Sequence, residues 1–187
     1  MNRLALVAGV SCSGKDYLIK RVKPLLPNGI RIVCFGDELF KELQKTHPGL
    51  ESSDQIRYLN TPEVIRGVGI INSWLIQTQP AVVSTHLVFN SEGKLVTIPE
   101  TFDQLVPALF IHVSAPVEEI AACRRAKNRG RRELVETEEQ IVLHQDLSIR
   151  VSCREARRIG TRLVKIWNRP NLVDKNISVL RQVLSTL

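Results

Sequence analysis

The sequence predicts an α/β fold, a doubly wound five-stranded parallel sheet forming one domain over residues 1–187. Three observations carry that expectation. Short apolar runs of strand length recur at wide intervals, and they are nearly continuous rather than alternating, as strands buried on both faces must be. Helical patterns fill the intervals, giving the βαβ alternation that builds a parallel sheet. The stretch GVSCSGKD, residues 9–16, stands between the first apolar run and a helix-forming segment.

The first expected strand is LALVA at 4–8. In GVSCSGKD the GxxxxGK pattern lets the amides of residues 9–15 face a concavity, the following helix N-terminus adds positive potential, and Lys15 reaches the β- and γ-phosphates of a nucleotide. Gly9, Ser11, Cys12, Ser13, Gly14, Lys15 and Asp16 are therefore expected to bind a nucleoside triphosphate. Asp16 is anomalous, because the pattern wants a hydroxyl there to sit on a magnesium ion. DYLIKRV continues as a helix, and IRIVCF at 30–35 is the second strand.

The interval 37–79 is too long for one crossover helix and holds breakers at Pro48-Gly49 and Thr61-Pro62, so it reads as a small helical insertion. AVVS at 81–84 is the third strand. Two short β-prone runs about the turn NSEG, between His86 and Pro99, read as a hairpin. ALFIHVS at 108–114 is the fourth strand, followed by Pro116 at a helix N1 position. Thr137 and Gln140 form a capping box that opens a long helix to about Ile159. RLVKIW at 162–167 is the fifth strand.

A chain of 187 residues that is 43% hydrophobic suffices for one well-buried core and is short for two domains. Cys12, Cys34, Cys123 and Cys153 show no CxxC or CxxH spacing, which argues against disulfides and structural zinc and for a cytoplasmic protein. No run approaches the roughly 18 apolar residues of a membrane span. His47, His86, His112 and His144 lack metal-type spacing, and Trp74 and Trp167 read as packing residues. The net charge of +7 is concentrated: residues 121–169 hold 13 Lys and Arg against 6 Asp and Glu, so the rest of the chain is neutral. Such a block suits a solvated helix face, a polyphosphate clamp or an RNA-binding surface.

Within that block, CRRAKNRGRR packs Arg124, Arg125, Arg129, Arg131 and Arg132 around Asn128 and Gly130, with Arg150 one helix further on. Guanidiniums closing from a loop neutralise the charge that spreads over a moving phosphoryl group and exclude water, as a kinase lid does. No NKxD-like or DxxG element supports a GTPase.

These features together resemble archaeal-type adenylate kinase along nearly the full chain. The matching elements are the phosphate loop, FGD at 35–37, DQIRYL at 54–59, STHL at 84–87, the RR...RGRR...ETEEQI segment, Arg150 and the closing VKIWN. The resemblance implies transfer from ATP to a nucleoside monophosphate, most simply AMP, with Mg²⁺ as cofactor. It implies a monophosphate-binding insertion over about 37–79 with Arg57 on the acceptor phosphate, and a lid over about 127–137. Asp37, Thr85 and His86 fall to the acceptor side, Asn168 near the donor base, and the lid arginines with Arg150 to catalysis. Since the resembled family includes oligomers, it also adds self-association as an expectation.

The family's third strand ordinarily ends in an aspartate where this chain has Ser84. The loop thus gained a carboxylate and the strand a hydroxyl, and the expectation is that Asp16 and Ser84 exchange metal-site roles, partly through water. Two rivals stay open. A kinase acting on a hydroxyl would want a base, which Asp37 could supply unless it caps the helix beginning ELFKEL. A nucleotide-gated, RNA-associated assembly factor would use the basic block as its contact surface.

Overall fold

A computed structural model describes residues 3–59, 61–91, 93–97, 104–127 and 136–187, with the side chains at 54, 57, 58, 61, 91 and 127 left aside. The described elements are β1 (Leu4–Ala8), α1 (Lys15–Val22), β2 (Arg31–Cys34), α2 (Phe35–Gln44), α3 (Thr61–Gln77), β3 (Ala81–Thr85), β4 (Val88–Ser91), β5 (Lys94–Thr97), β6 (Leu109–Ser114), α4 (Val117–Lys127), α5 (Glu138–Arg158), β7 (Arg162–Trp167) and α6 (Val173–Leu184).

Five strands form one parallel sheet in the order β2-β3-β1-β6-β7. Alternate residues feed opposite faces. Leu4, Leu6, Val83 and Phe110 pack with α2, α3 and α5, whereas Ala5, Val7, Val82 and Ile111 pack with α1 and α6. Both faces are thus covered, which is why the strands read as unbroken apolar runs. Chain direction across the sheet reverses between β1 and β3. In an open parallel sheet that reversal leaves a crevice at the carboxyl ends of those two strands, and the phosphate loop starts from one of its walls.

The insertion consists of α2, a short 3₁₀ segment at Ser53–Tyr58 and α3. The hairpin is β4 paired antiparallel to β5. Helix α5 opens on the expected box: Thr137 Oγ1 accepts from the Gln140 amide at 3.2 Å and Gln140 Oε1 accepts from the Thr137 amide at 2.8 Å.

Three local expectations change. Helix α2 starts at Phe35 directly off β2, so Asp37 sits inside its first turn and does not cap it. The Pro116 carbonyl accepts from the Ile120 amide, so this proline stands one position ahead of the first residue of α4. Trp74 and Trp167 are surface residues, 36% and 43% exposed, instead of packed ones. Among the described residues no helix is long and apolar enough to cross a membrane.

Candidate active site

The phosphate loop is shaped by two glycines. At Gly9 a Cβ would come within 2.5 Å of the Val113 carbonyl oxygen, so β1 could not leave the sheet beside β6 with any side chain there. Gly14 has φ +82°, and a Cβ on it would meet Asn168 Nδ2 at 2.1 Å. Asn168 approaches that closely because Nδ2 donates to the Ser13 carbonyl at 3.0 Å, which ties the loop after β7 to the phosphate loop. Cys12 is also left-handed, at φ 69°. Among the described residues, Ser13 Oγ and Asn168 Oδ1 are buried without a hydrogen-bond partner, two polar atoms that a ligand in the loop could satisfy.

Lys15 opens α1 and is 3% exposed. Its ammonium lies 3.0 Å from Asp16 Oδ2 and 3.3 Å from His86 Nε2. His86 Nδ1 lies 2.7 Å from the Gly9 carbonyl, which can only accept, so the proton is on Nδ1 and the Nε2 lone pair faces Lys15. Burial, then the Lys15 charge, push His86 down to about 3, against the smaller effects of Gly9 and Asp16. The ring is therefore neutral at any physiological pH. An ammonium has three N–H donors. Among the described residues two of these have partners, Asp16 and His86.

The second oxygen of Asp16 accepts a hydrogen bond from Ser84 Oγ at the end of β3. Burial would raise the Asp16 pKa, but the Lys15 charge and the bonds from Ser84 and Lys15 outweigh it and hold the carboxyl below its ordinary range. Its side chain remains 65% open to solvent. Asp16 is thus an ionised carboxylate at the crevice, anchored to Lys15 on one side and β3 on the other.

Arg124, near the end of α4, donates through Nε and Nη2 to the Ser11 carbonyl at 3.4 and 3.3 Å and pairs with Glu136 ahead of α5. Asn90 of the hairpin donates to Glu136 Oε1 at 2.7 Å. His144 donates through Nε2 to the Val88 carbonyl at 3.1 Å, its Nδ1 lies 3.4 Å from Glu136 Oε1, and burial keeps its pKa below the usual value. This cluster joins loop, hairpin, α4 and α5.

The sequence-predicted residues divide accordingly. Lys15, Asp16, Ser84, His86, Arg124 and Asn168 converge on the loop, while Thr85 is buried beside His86. Asp37 is exposed on the same sheet edge and touches the thiol of Cys34, whose pKa burial raises. Arg150 lines a groove with Lys165 along α5. Arg129, Arg131, Arg132 and the Arg57 side chain lie outside the described residues. Glu136, Asn90 and His144 escaped sequence reasoning, because Glu136 looks like a helix-start acid and its partners carry no motif. Among the described residues no three His, Cys, Asp or Glu form a ready metal cage.

The chain has recognisable relatives. A family model described as an AAA domain matches residues 8–142. An adenylate kinase from Thermococcus onnurineus is 30% identical over 152 residues, covering 78% of this chain and 76% of that one. One from Methanothermobacter thermautotrophicus is 26% identical over 188 residues, covering 97% and 99%. In fold, the chain resembles a shikimate kinase from Acinetobacter baumannii solved with shikimate, at TM-score 0.59 and 14% identity, covering 98% and 94%.

Proposed function

Because this chain belongs to the P-loop nucleoside monophosphate kinase family, we propose that it is an ATP-dependent phosphotransferase acting on a nucleoside monophosphate, most simply AMP. The observation that carries the reading is the lysine, carboxylate and hydroxyl gathered at the mouth of the loop: Lys15, Asp16 and Ser84.

The donor phosphates would lie on the loop amides, with Lys15 turning its ammonium toward them. His86, neutral and fixed by the Gly9 carbonyl, keeps one Lys15 donor occupied and so aims the others. The paired carboxylate and hydroxyl are hard oxygen donors, which suits Mg²⁺. Asp16 and Ser84 would hold that ion, directly or through water, and it would offset charge on the donor phosphates. Arg57 remains the proposed acceptor-phosphate contact, and Arg129, Arg131 and Arg132 the proposed lid contacts. Arg124 acts through the Ser11 carbonyl and Glu136 as a support for the loop. A monophosphate acceptor is already an oxyanion near neutral pH, so the site needs positive charge and alignment more than a general base.

The test is a panel of AMP, UMP, CMP, GMP, dTMP and free nucleosides with ATP and Mg²⁺. Transfer to AMP with formation of ADP supports the reading. Transfer only to a nucleoside hydroxyl would shift it to a hydroxyl kinase with Asp37 as base, the exposed carboxylate on the same edge. No transfer to any acceptor would end both.

A further inference from the structure

We propose that the edge of the sheet formed by α5 and β7 is a binding surface for single-stranded nucleic acid, separate from the nucleotide site. Arg150, Arg154, Arg157, Arg158 and Lys165 line an open groove of about 600 Å³, with no acidic residue in its lining. All five are exposed. Glu155 lies beneath them, 6% exposed, and accepts from Arg154 Nε at 2.9 Å and from Arg158 Nε at 2.7 Å. A buried carboxylate thereby orients two surface guanidiniums before any ligand arrives, which lowers the entropic cost of binding an anion.

Folding calls for only part of this arrangement, since Arg154 and Arg158 neutralise the buried Glu155. The helix dipole favours Arg157 and Arg158 in the last turn of α5 but not Arg150 or Arg154. Arg150 with Arg154, and Arg154 with Arg158, are like-charge pairs one turn apart, which weaken a helix slightly. A charge on the edge strand guards against sheet-to-sheet pairing, and Lys165 alone would serve for that.

The pattern fits a regular polyanion. Arg150, Arg154 and Arg158 form a row with about 6 Å between successive members along the helix axis, a spacing that lets each meet a phosphate of an extended strand. On β7, Trp167 shares the face of Lys165 by strand alternation, is 43% exposed, and carries Arg169 at 5.4 Å from its ring centroid. The groove lining reaches Lys165, and Trp167 stands two residues further along the same strand face; single strands are held by such charge with a nearby aromatic, the bases stacking while the backbone follows the cations. An acidic peptide would use the charge and leave the tryptophan idle. Lys165 lies level with His112, mid-sheet, and the groove lining includes no phosphate-loop residue, so the cationic track is clear of the nucleotide loop, whereas Trp167 and Arg169 flank Asn168, which is tied to that loop.

The experiment is fluorescence anisotropy of labelled oligouridylate against the full chain, with oligo-dT, a duplex and polyglutamate as comparators. Saturable binding tighter than about 100 µM at low salt is expected, with log Kd against log salt showing a slope near 3.5 if all five cations meet phosphates. Arg157→Glu with Lys165→Glu should weaken binding at least tenfold and reduce the slope by about 1.4 or more, with the circular dichroism of the folded chain unchanged. Trp167→Ala should weaken binding and leave the slope alone. Absence of binding, equal affinity in the double variant, or polyglutamate or duplex binding as well as the single strand would each overturn the proposal. The Arg157 and Lys165 arm does not bear on transfer to AMP, because neither residue touches the nucleotide loop.

Discussion

Ser84 at the end of β3 donates a hydrogen bond to Oδ1 of Asp16, a residue 68 positions earlier at the start of α1, while Lys15 holds Oδ2 at 3.0 Å. The carboxylate that breaks the loop pattern and the hydroxyl at the end of β3 are therefore one contact. Parallel pairing of β1 with β3 brings Ala8 opposite Thr85, which delivers both residues to the same crevice.

If the two share a metal-site role, reciprocal exchange should be partly compensating. Asp16→Thr and Ser84→Asp should each lower kcat/KM at least tenfold, about 1.4 kcal/mol of transition-state stabilisation, and the double variant should recover part of that. Titrating Mg²⁺ against turnover checks it. Full magnesium-dependent activity in Asp16→Ala would sink the idea.

His86 should act as an uncharged acceptor for Lys15. His86→Ala should raise the KM for ATP, and His86→Gln, which keeps an acceptor, should be the milder change. With its pKa about 3, His86 should contribute no inflection between about pH 5 and 8. A wild-type inflection in that range that vanishes in His86→Gln would contradict a permanently neutral ring.

Acid should destabilise the fold through His112. This residue is 1% exposed and donates Nδ1–H to Ser152 Oγ at 2.8 Å, whose hydroxyl donates to the Ser148 carbonyl at 2.9 Å. Burial, then the Lys165 charge, push it down to about 4 from 6.5. Between those values the unfolded chain binds the extra proton, so the stabilisation is full above pH 6.5 and drains away as pH falls toward 4. The gap is worth roughly 3 kcal/mol. Denaturant midpoints from about pH 7 down to 4.5 should fall less steeply in His112→Asn; parallel curves would assign the loss elsewhere.

Glu136 should matter for stability more than its position suggests. The Arg124 and Glu136 side chains are 11% and 12% exposed, so Glu136→Ala leaves a buried guanidinium without its counter-charge, at a cost on the order of 3 kcal/mol. In a chain of this size that lowers Tm by roughly 6–12 °C. Arg124→Met with Glu136→Leu should regain part of it. A thermal melt of Glu136→Ala within about 2 °C of wild type would show that the pair contributes little.

Sequence by itself determined the parallel sheet, its five strands, the hairpin, the capped α5 and the phosphate loop, because each is encoded by local periodicity or turn chemistry. Its few misplacements were also local. Asp37 and Pro116 depended on where a helix starts within one or two residues, which propensity leaves open. Only tertiary structure decided the rest. Asp16 meets Ser84, His86 meets Lys15, and Glu136 meets Arg124, Asn90 and His144 across gaps that carry no repeating pattern, because strand order and not chain order sets which ends are neighbours. Arg150 shows the same limit in reverse. Sequence grouped it with the lid arginines, and only the packing of α5 along β7 shows that it also stands in a row with Arg154, Arg157 and Lys165.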